Sequence, residues 1–398
     1  MKVTSNRLFF IDAMRAWAIL MMLQGHFIDG LLDPFFRNPE NAIYGIWLYF
    51  RGITAPVFFT VSGFIFTYLL LRAPEQGGSN PRIRKGIKRG LQLLLIGYAL
   101  RLNLFGLFKG EIYNGFYVVD VLHCIGLSIL AIIAFYQLTI GKRKSLFPVV
   151  LVATTVLLFL FEPLYKQWSF SFLPMGIANY FTKANGSVFT IIPWLGYTTL
   201  GASLSTLFIR FKHRKQLYTV GIISAISIGF GLIYCSSPLF MMLYKSTDIQ
   251  LFEQVYFNNY LFIRLGDVFV VFAIFMLVRK FLTHATLLKI GSNTLSIYVI
   301  HFILLYGSFT GLGLYKFLHH ELTPWAVLIG ALIFMFACTF LALQYNKHQS
   351  SIKENAGALV RYLRIRLYLY LRKEAPLIKE QFIKLREMVL RFLASAKN

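Results

Sequence analysis

The first apolar stretch, Phe9 to Leu32, reads FFIDAMRAWAILMMLQGHFIDGLL and is the strongest indication of the fold class. As one helix it is long enough to cross the hydrocarbon core of a bilayer, which is roughly 30 Å thick. It nevertheless carries Asp12, Arg15, His26 and Asp29. Each ionisable group inside a span costs about 2.5 to 3.5 kcal/mol on insertion scales, so such residues usually face a protein interior or a cavity. The stretch therefore predicts a membrane helix that carries a functional site.

The spacing of these residues places the candidate site on one side of the helix. Arg15 and His26 are eleven positions apart, which at about 100° per residue is three turns plus roughly 20°. They share a face and lie about 16 Å apart along the axis. Asp12 with Arg15, and His26 with Asp29, are i,i+3 neighbours that can compensate each other's charge. The alternative is an ordinary span whose charged ends snorkel to the surfaces.

Composition indicates a membrane protein of all-α class. Of 398 residues, 57% are hydrophobic and 14% are charged, and the mean hydropathy is +0.63. This leaves too little polar surface to cover a soluble globule of that size. The cysteines Cys124, Cys235 and Cys338 are odd in number and have no zinc-site spacing, so we expect neither a disulfide framework nor a bound metal.

Apolar runs of spanning length recur along most of the chain and predict a bundle of about ten transmembrane helices, forming one domain over residues 1–346. The runs cover approximately residues 9–32, 43–71, 90–108, 117–138, 146–163, 187–209, 217–235, 260–278, 287–310 and 322–345.

The net charge of +24 is distributed as in a polytopic membrane protein and not as in a nucleic-acid-binding protein. Basic residues concentrate in alternate segments, a bias that marks the cytoplasmic side. The segments richest in basic residues begin with Lys2 and Arg7 and continue with Arg72, Arg82, Arg84, Lys85, Lys88, Arg89, Lys142, Arg143, Lys144, Arg210, Lys212, Arg214, Lys215, Arg279, Lys280 and Lys289. We therefore expect both termini in the cytoplasm.

The last fifty residues differ in character from the bundle. In residues 347–398 apolar positions recur at steps of three and four among Lys and Arg, which predicts a basic amphipathic helical tail on the anionic cytoplasmic leaflet. A solvated helix or a tail that binds a partner is the alternative.

Several later spans also carry polar groups. Arg51, Arg101 and Arg264 lie within apolar runs, and near Arg51 we expect Pro56 to kink or break its span and Gly63 to admit a neighbouring backbone.

Five further polar residues complete the expected polar interior. Asp120 and His123 are i,i+3 neighbours, a spacing at which a carboxylate can orient an imidazole. Tyr298 and His301 have the same spacing, and Asn293 precedes them. A hydrogen-bonded structural histidine is the plainer interpretation of His123.

The chain contains no phosphate-binding glycine loop, no dinucleotide fingerprint, no HExxH and no G-x-S-x-G, which argues against an ATP-driven pump and a hydrolase. Cations toward the cytoplasm and a histidine toward the outside suit a cytoplasmic anionic donor. Acetyl-CoA fits this description, because arginines bind its phosphates and its long arm could reach His26. His26 would then remove a proton from an attacking hydroxyl or amine, or accept the acetyl group itself.

Five segments resemble the catalytic domain of the heparan-alpha-glucosaminide N-acetyltransferase family and its bacterial relatives. They are RLFFIDAMRAWAILMMLQGHF, RGITAPVFFTVSGF, DVLHCIGLS, IPWLGYTTLGA and IGSNTLSIYVIHF, in that order. The spacing of Arg15 and His26 also resembles the motif of the broader integral-membrane acyltransferases that acetylate surface polysaccharides. The resemblance covers most of the membrane part and not the basic tail.

This resemblance implies transfer of acetyl from cytoplasmic acetyl-CoA to an extracytoplasmic sugar or glycan, with Arg15 and His26 as the motif residues. We expect Asp12 and Asp29 to support them as catalytic residues. We expect Arg15, Arg51, Arg101 and Ser62 to bind the donor. A secondary transporter for a small anionic or sugar-like solute is the alternative, a scaffold in an envelope-polymer assembly is a third possibility, and homo-oligomer formation stays open.

Overall fold

The computed structural model describes residues 8–73 and 77–395, and the regular structure there is helical. This confirms the predicted all-α fold. Within the described ranges, the β contact is an isolated bridge between Leu32 and Leu322. The α-helices are α1 (Phe9–Leu31), α2 (Ala42–Leu71), α3 (Pro81–Arg101), α4 (Leu104–Phe108), α5 (Val121–Thr139), α6 (Leu146–Leu160), α7 (Glu162–Tyr165), α8 (Met175–Ala178), α9 (Ile191–Phe211), α10 (Leu217–Phe230), α11 (Ser236–Thr247), α12 (Gln250–Phe257), α13 (Tyr260–Leu277), α14 (Ala285–Ser292), α15 (Thr294–Tyr306), α16 (Leu314–Leu318) and α17 (Pro324–Ser395).

Five helical stretches of the described chain are long and apolar enough to cross a membrane, and a sixth is obtained if the bent pair α14 and α15 counts as one span. They include α2, α5, α13 and the continuous stretch Leu217–Thr247. The predicted number of about ten is larger than this. Each predicted run does contain a helix, but α6 has only 15 residues, and α1 and α3 carry several ionisable side chains.

Local capping signals explain where helices differ from the predicted runs. The run predicted over residues 90–108 is divided, because α3 ends at Arg101 and Asn103 caps the separate helix α4. Helix α3 also begins earlier than predicted, at Pro81, where the side chain of Asn80 accepts a hydrogen bond from the backbone N–H of Arg82. Asp120 caps α5 in a reciprocal capping box with His123.

Helix α2 packs very closely against α9. Gly63 faces Thr198, and a Cβ atom at Gly63 would collide with the carbonyl oxygen of Thr198. A Cβ atom at Gly201 would collide with the carbonyl oxygen of Thr60 in the same way. The predicted close approach at Gly63 is therefore confirmed. Of the kink or break predicted at Pro56, the break is wrong, because α2 continues through this residue from Ala42 to Leu71; a kink there stays a prediction.

The chain divides into two compact units, Met1–Ala342 and Leu343–Asn398. The first contains the helices that surround the candidate site. In the second, side chains after residue 370 lie outside the described ones, so the basic amphipathic surface of the tail stays a prediction. The predicted cytoplasmic residues Lys2 and Arg7 also lie outside the described residues.

Candidate active site

A cavity of about 830 Å³ lies within the first unit, among α1, α2, α3, α5, α9, α13 and α15. The acidic, basic and histidine residues among its described wall residues are His26, Asp29, Arg51, Arg101 and Asp120. These five residues come from four separate parts of the chain, and the sequence predicts His26 and Asp29 as catalytic, Arg51 and Arg101 as donor-binding and Asp120 as part of the polar interior. Aromatic side chains form much of the remaining wall, and they are Phe58, Phe59, Tyr113, Phe116, Phe189, Trp194, Tyr260, Tyr298, Phe302, Tyr306 and Tyr315.

His26 is half-buried on the cavity wall and contacts α15. Its Nδ1 atom lies 2.9 Å from the hydroxyl oxygen of Tyr306. Its ring centroid lies 5.4 Å from that of His301, which is 1% exposed. The Nδ1 atom of His301 lies 2.5 Å from the carbonyl oxygen of Tyr298. Because a carbonyl oxygen only accepts hydrogen bonds, this contact requires the proton of His301 on Nδ1.

Asp29 and Arg51 form an ion pair across α1 and α2. The guanidinium of Arg51 also lies 6.0 Å from the ring centroid of Trp47, and the indole N–H of Trp47 donates to Gln24 over 2.7 Å. The carboxylate of Asp29 therefore pairs with α2, although the sequence spacing suggested His26 as its partner. Tyr306 contacts His26 Nδ1 instead.

Arg101 and Asp120 form a second ion pair on another wall of the cavity, with 3.2 Å between Arg101 Nε and Asp120 Oδ2. The other carboxylate oxygen of Asp120 lies 2.9 Å from His123 Nδ1 and accepts from the backbone N–H of Leu122 over 3.0 Å. The predicted contact between Asp120 and His123 is thus present. His123 is fully buried behind this pair and does not contribute to the described cavity wall, which agrees with a structural role.

Arg15 lies near the opposite end of α1, about 16 Å from His26 by helical rise. One of its guanidinium nitrogens is 3.6 Å from Asp12, and another donates to the Thr294 hydroxyl over 3.1 Å. Thr294 begins α15 and Tyr306 ends it. Arg15 and His26 therefore both face α15, which confirms that they share one side of α1.

The predicted site residues separate into groups. Tyr298 lines the cavity. Ser62 donates to the carbonyl of Phe58 over 2.7 Å, and the Asn293 amide donates to the carbonyl of Lys289 over 2.8 Å. The described wall of the cavity does not include Ser62, Asn293 or Arg15.

A further charged cluster beside the cavity was only partly anticipated. Arg264 Nη1 lies 2.9 Å from Asp267, and the hydroxyl of Tyr49 donates to Asp267 over 2.6 Å. The Arg264 guanidinium also lies 4.5 Å from the ring centroid of Tyr49. A Cβ atom at Gly52, a cavity residue, would lie 2.7 Å from Arg264. The i,i+3 spacing of Arg264 and Asp267 was the available sequence signal.

The loop between α16 and α17 closes the C-terminal end of α1. The backbone N–H of His320 donates to the carbonyl of Gly30 over 3.2 Å. Loss of solvation lowers the pKa of the His320 imidazole, and the charges of Arg37 and His319 lower it further. Both effects favour the neutral form of the His320 imidazole.

The capacity to bind a metal and two comparisons with known proteins complete the description of the site. The residues described hold no group of three His, Cys, Asp or Glu side chains that could bind a metal ion. The model of a family described as "Acyltransferase domain" matches residues 8–344, which include the whole cavity. No curated protein sequence matches the chain.

Proposed function

The chain belongs to this family of acyltransferase domains and is an integral membrane protein, and from this premise we propose that it transfers an acetyl group from cytoplasmic acetyl-CoA to an extracytoplasmic sugar or glycan. Within the proposal, the chain is a bacterial relative of the heparan-alpha-glucosaminide N-acetyltransferases. The membrane is the bacterial inner membrane, and both termini are cytoplasmic.

The observation that carries the proposal is the position of His26 on the wall of the cavity of about 830 Å³. This volume lies in the range that holds a small ligand, roughly 300–1,000 Å³. The hydroxyl of Tyr306 can accept a hydrogen bond from Nδ1 of His26, and His26 Nε2 is then the unprotonated, basic nitrogen. A side chain in this state is suited to general-base catalysis at an acceptor held in the cavity.

In the direct route, the acceptor hydroxyl or amine attacks the thioester carbonyl carbon while its proton moves to His26 Nε2. The new bond to carbon forms, the carbon–sulfur bond breaks, and the coenzyme A thiolate leaves and can take up a proton. In the alternative route, His26 Nε2 attacks the thioester first and passes the acetyl group to the acceptor. Both routes use the same nitrogen.

The donor side of the proposal rests on Arg15. The distribution of Lys and Arg in the sequence indicates that the Arg15 end of α1 is cytoplasmic, and a guanidinium there suits the phosphates of acetyl-CoA. Arg51 and Arg101 were expected to bind the donor as well. They line the same cavity as His26, where they are suited to hydrogen-bond the transferred acetyl carbonyl or the acceptor. Family membership favours this group transfer over the transporter alternative.

The test uses labelled acetyl-CoA and membrane vesicles of both orientations that carry the full chain. We expect inverted vesicles to incorporate label into glycan, and right-side-out vesicles to require permeabilisation. His26→Ala should reduce transfer by about 10²- to 10⁴-fold, the usual contribution of a general base. His213→Ala is the matched control, because His213 is exposed in the loop after α9. Unchanged transfer by His26→Ala would exclude the proposed role of this residue.

A further inference from the structure

The charged groups on the cavity wall neutralise one another in pairs. Asp29 is paired with Arg51, and Asp120 is paired with Arg101. The described wall contains no lysine, glutamate or additional aspartate or arginine. The two carboxylates and two guanidiniums therefore give the cavity a net charge of zero while His26 is neutral.

This pairing limits the charge of a molecule that enters. A carboxylate on the acceptor would find the charge of both guanidiniums already neutralised and would lie near Asp29 or Asp120, while losing much of its hydration. A protonated amine would meet the corresponding difficulty, because both carboxylates are already paired. Burying an ion without a partner costs several kcal/mol. An uncharged acceptor avoids this cost.

The rest of the wall suits a polyhydroxylated molecule. The rings of Trp194, Tyr298 and Phe302 supply apolar surfaces against which the C–H faces of a sugar ring can pack. Asn103 and the paired charged groups supply hydrogen-bond donors and acceptors for hydroxyls. A largely apolar wall with a few polar groups that fix orientation is typical of small-molecule sites.

Resting on the proposed function, we propose that the acceptor is an uncharged sugar unit and that the acetyl group is placed on one of its hydroxyls, in preference to a uronate or a protonated amino sugar. The ion pairs Asp29–Arg51 and Arg101–Asp120 disfavour charged acceptors. Replacement of either carboxylate by an amide leaves one guanidinium available for an acidic acceptor.

The test compares oligosaccharides of equal length in matched pairs, glucose with glucuronate, galactose with galacturonate and mannose with mannuronate, together with glucosamine. Labelled acetyl-CoA is supplied to the full chain in permeabilised vesicles, and transfer that depends on His26 is measured. We expect the neutral member of any accepted pair to be preferred at least about tenfold, which corresponds to only about 1.4 kcal/mol. Glucosamine should gain acetyl on oxygen rather than nitrogen below the pKa of its amine.

Two variants test the cause of the preference. Asp29→Asn should shift the ratio of uronate to neutral transfer toward the uronate at least about fivefold, because it leaves the Arg51 guanidinium without its counter-charge. A tenfold shift would correspond to about 1.4 kcal/mol. Arg51 is 43% exposed, so its unpaired charge is tolerable. Asp120→Asn should act in the same direction and keeps a side-chain oxygen for the α5 cap. Asp248→Asn, in an exposed position at the end of α11, should leave the ratio unchanged.

Equal or faster transfer to the uronate member of a pair by the unaltered chain would overturn the inference and leave the proposed function standing. Asp29→Asn and Asp120→Asn variants that transfer acetyl with unchanged ratios would overturn the ion pairs as its cause. Absence of any transfer that depends on His26, to these acceptors and to the glycans of the membranes themselves, would instead overturn the proposed function.

Discussion

His26 Nδ1 lies 2.9 Å from the hydroxyl oxygen of Tyr306, and this is one of two contacts that align α1 with α15. The other joins Arg15 to Thr294. Because residue numbers rise in the same order along both helices, α1 and α15 run in parallel. Helix α15 therefore holds both ends of the face on which Arg15 and His26 lie.

Tyr306→Phe should reduce acetyl transfer about tenfold, since a hydrogen bond between neutral groups contributes about 0.5 to 1.5 kcal/mol and its loss also frees the imidazole to rotate. The change keeps the ring and removes the hydroxyl that contacts His26. The measurement is kcat at saturating donor and acceptor in purified full-length protein. Tyr234→Phe, at a tyrosine that is 68% exposed, is the control and should keep the original rate. A Tyr306→Phe rate equal to that of the control would contradict the positioning of His26 by Tyr306.

Arg15→Lys should raise the KM for acetyl-CoA about tenfold, because Lys keeps the charge and loses the planar, multidentate donor geometry of Arg. The acceptor KM should stay the same, since Arg15 is about 16 Å from His26. The measurement is steady-state kinetics with each substrate varied in turn. Arg143→Lys changes an exposed loop residue and is the matched control. A rise in the acceptor KM alone would place Arg15 in a different role.

The face shared by Arg15 and His26 could be predicted because it depends on the helical period within one uninterrupted helix. The partner of Asp29 could not, since Arg51 belongs to another helix, and sequence spacing reports only neighbours on the same helix. Helices α14 and α15 also meet at 71°, a bend that the single span predicted over residues 287–310 does not include.

The effect of Gly63 could be predicted from the residue itself, whereas the effect of Pro56 depends on the surrounding packing. Absence of a side chain at Gly63 has a direct local meaning, the close approach of another backbone, and the structure has this approach. Proline removes one helical hydrogen bond, but the surrounding packing decides whether the helix also breaks. At Pro56 the neighbouring turns continue, and the hydroxyl of Thr60 donates to the Pro56 carbonyl over 2.8 Å.

Gly63→Ala should destabilise the contact of α2 with α9, because the added methyl group meets the backbone carbonyl of Thr198, which cannot rotate away. Overpacking of this kind typically costs about 1–3 kcal/mol. The measurement is the Tm of the purified protein in detergent. Gly231→Ala is the control, since a Cβ there has no neighbouring atom within 4 Å. If both variants melt at the temperature of the unaltered chain, the close packing of α2 on α9 is wrong.

Asp267→Asn should lower the Tm more than Tyr49→Phe does. The side chain of Arg264 is only 13% exposed and lies 2.9 Å from Asp267, so the amide variant leaves a nearly buried guanidinium without its counter-charge. Loss of one partner of a buried ion pair costs about 3–5 kcal/mol, whereas loss of the Tyr49 hydroxyl removes one hydrogen bond, worth about 0.5–1.5 kcal/mol. Thermal unfolding in detergent gives both values, with Asp248→Asn as the exposed control. The pair Arg264–Asp267 lies behind Gly52 and is not on the described cavity wall. Folded Asp267→Asn protein should therefore keep the preference for neutral acceptors. A changed preference would show that Arg264 reaches the acceptor.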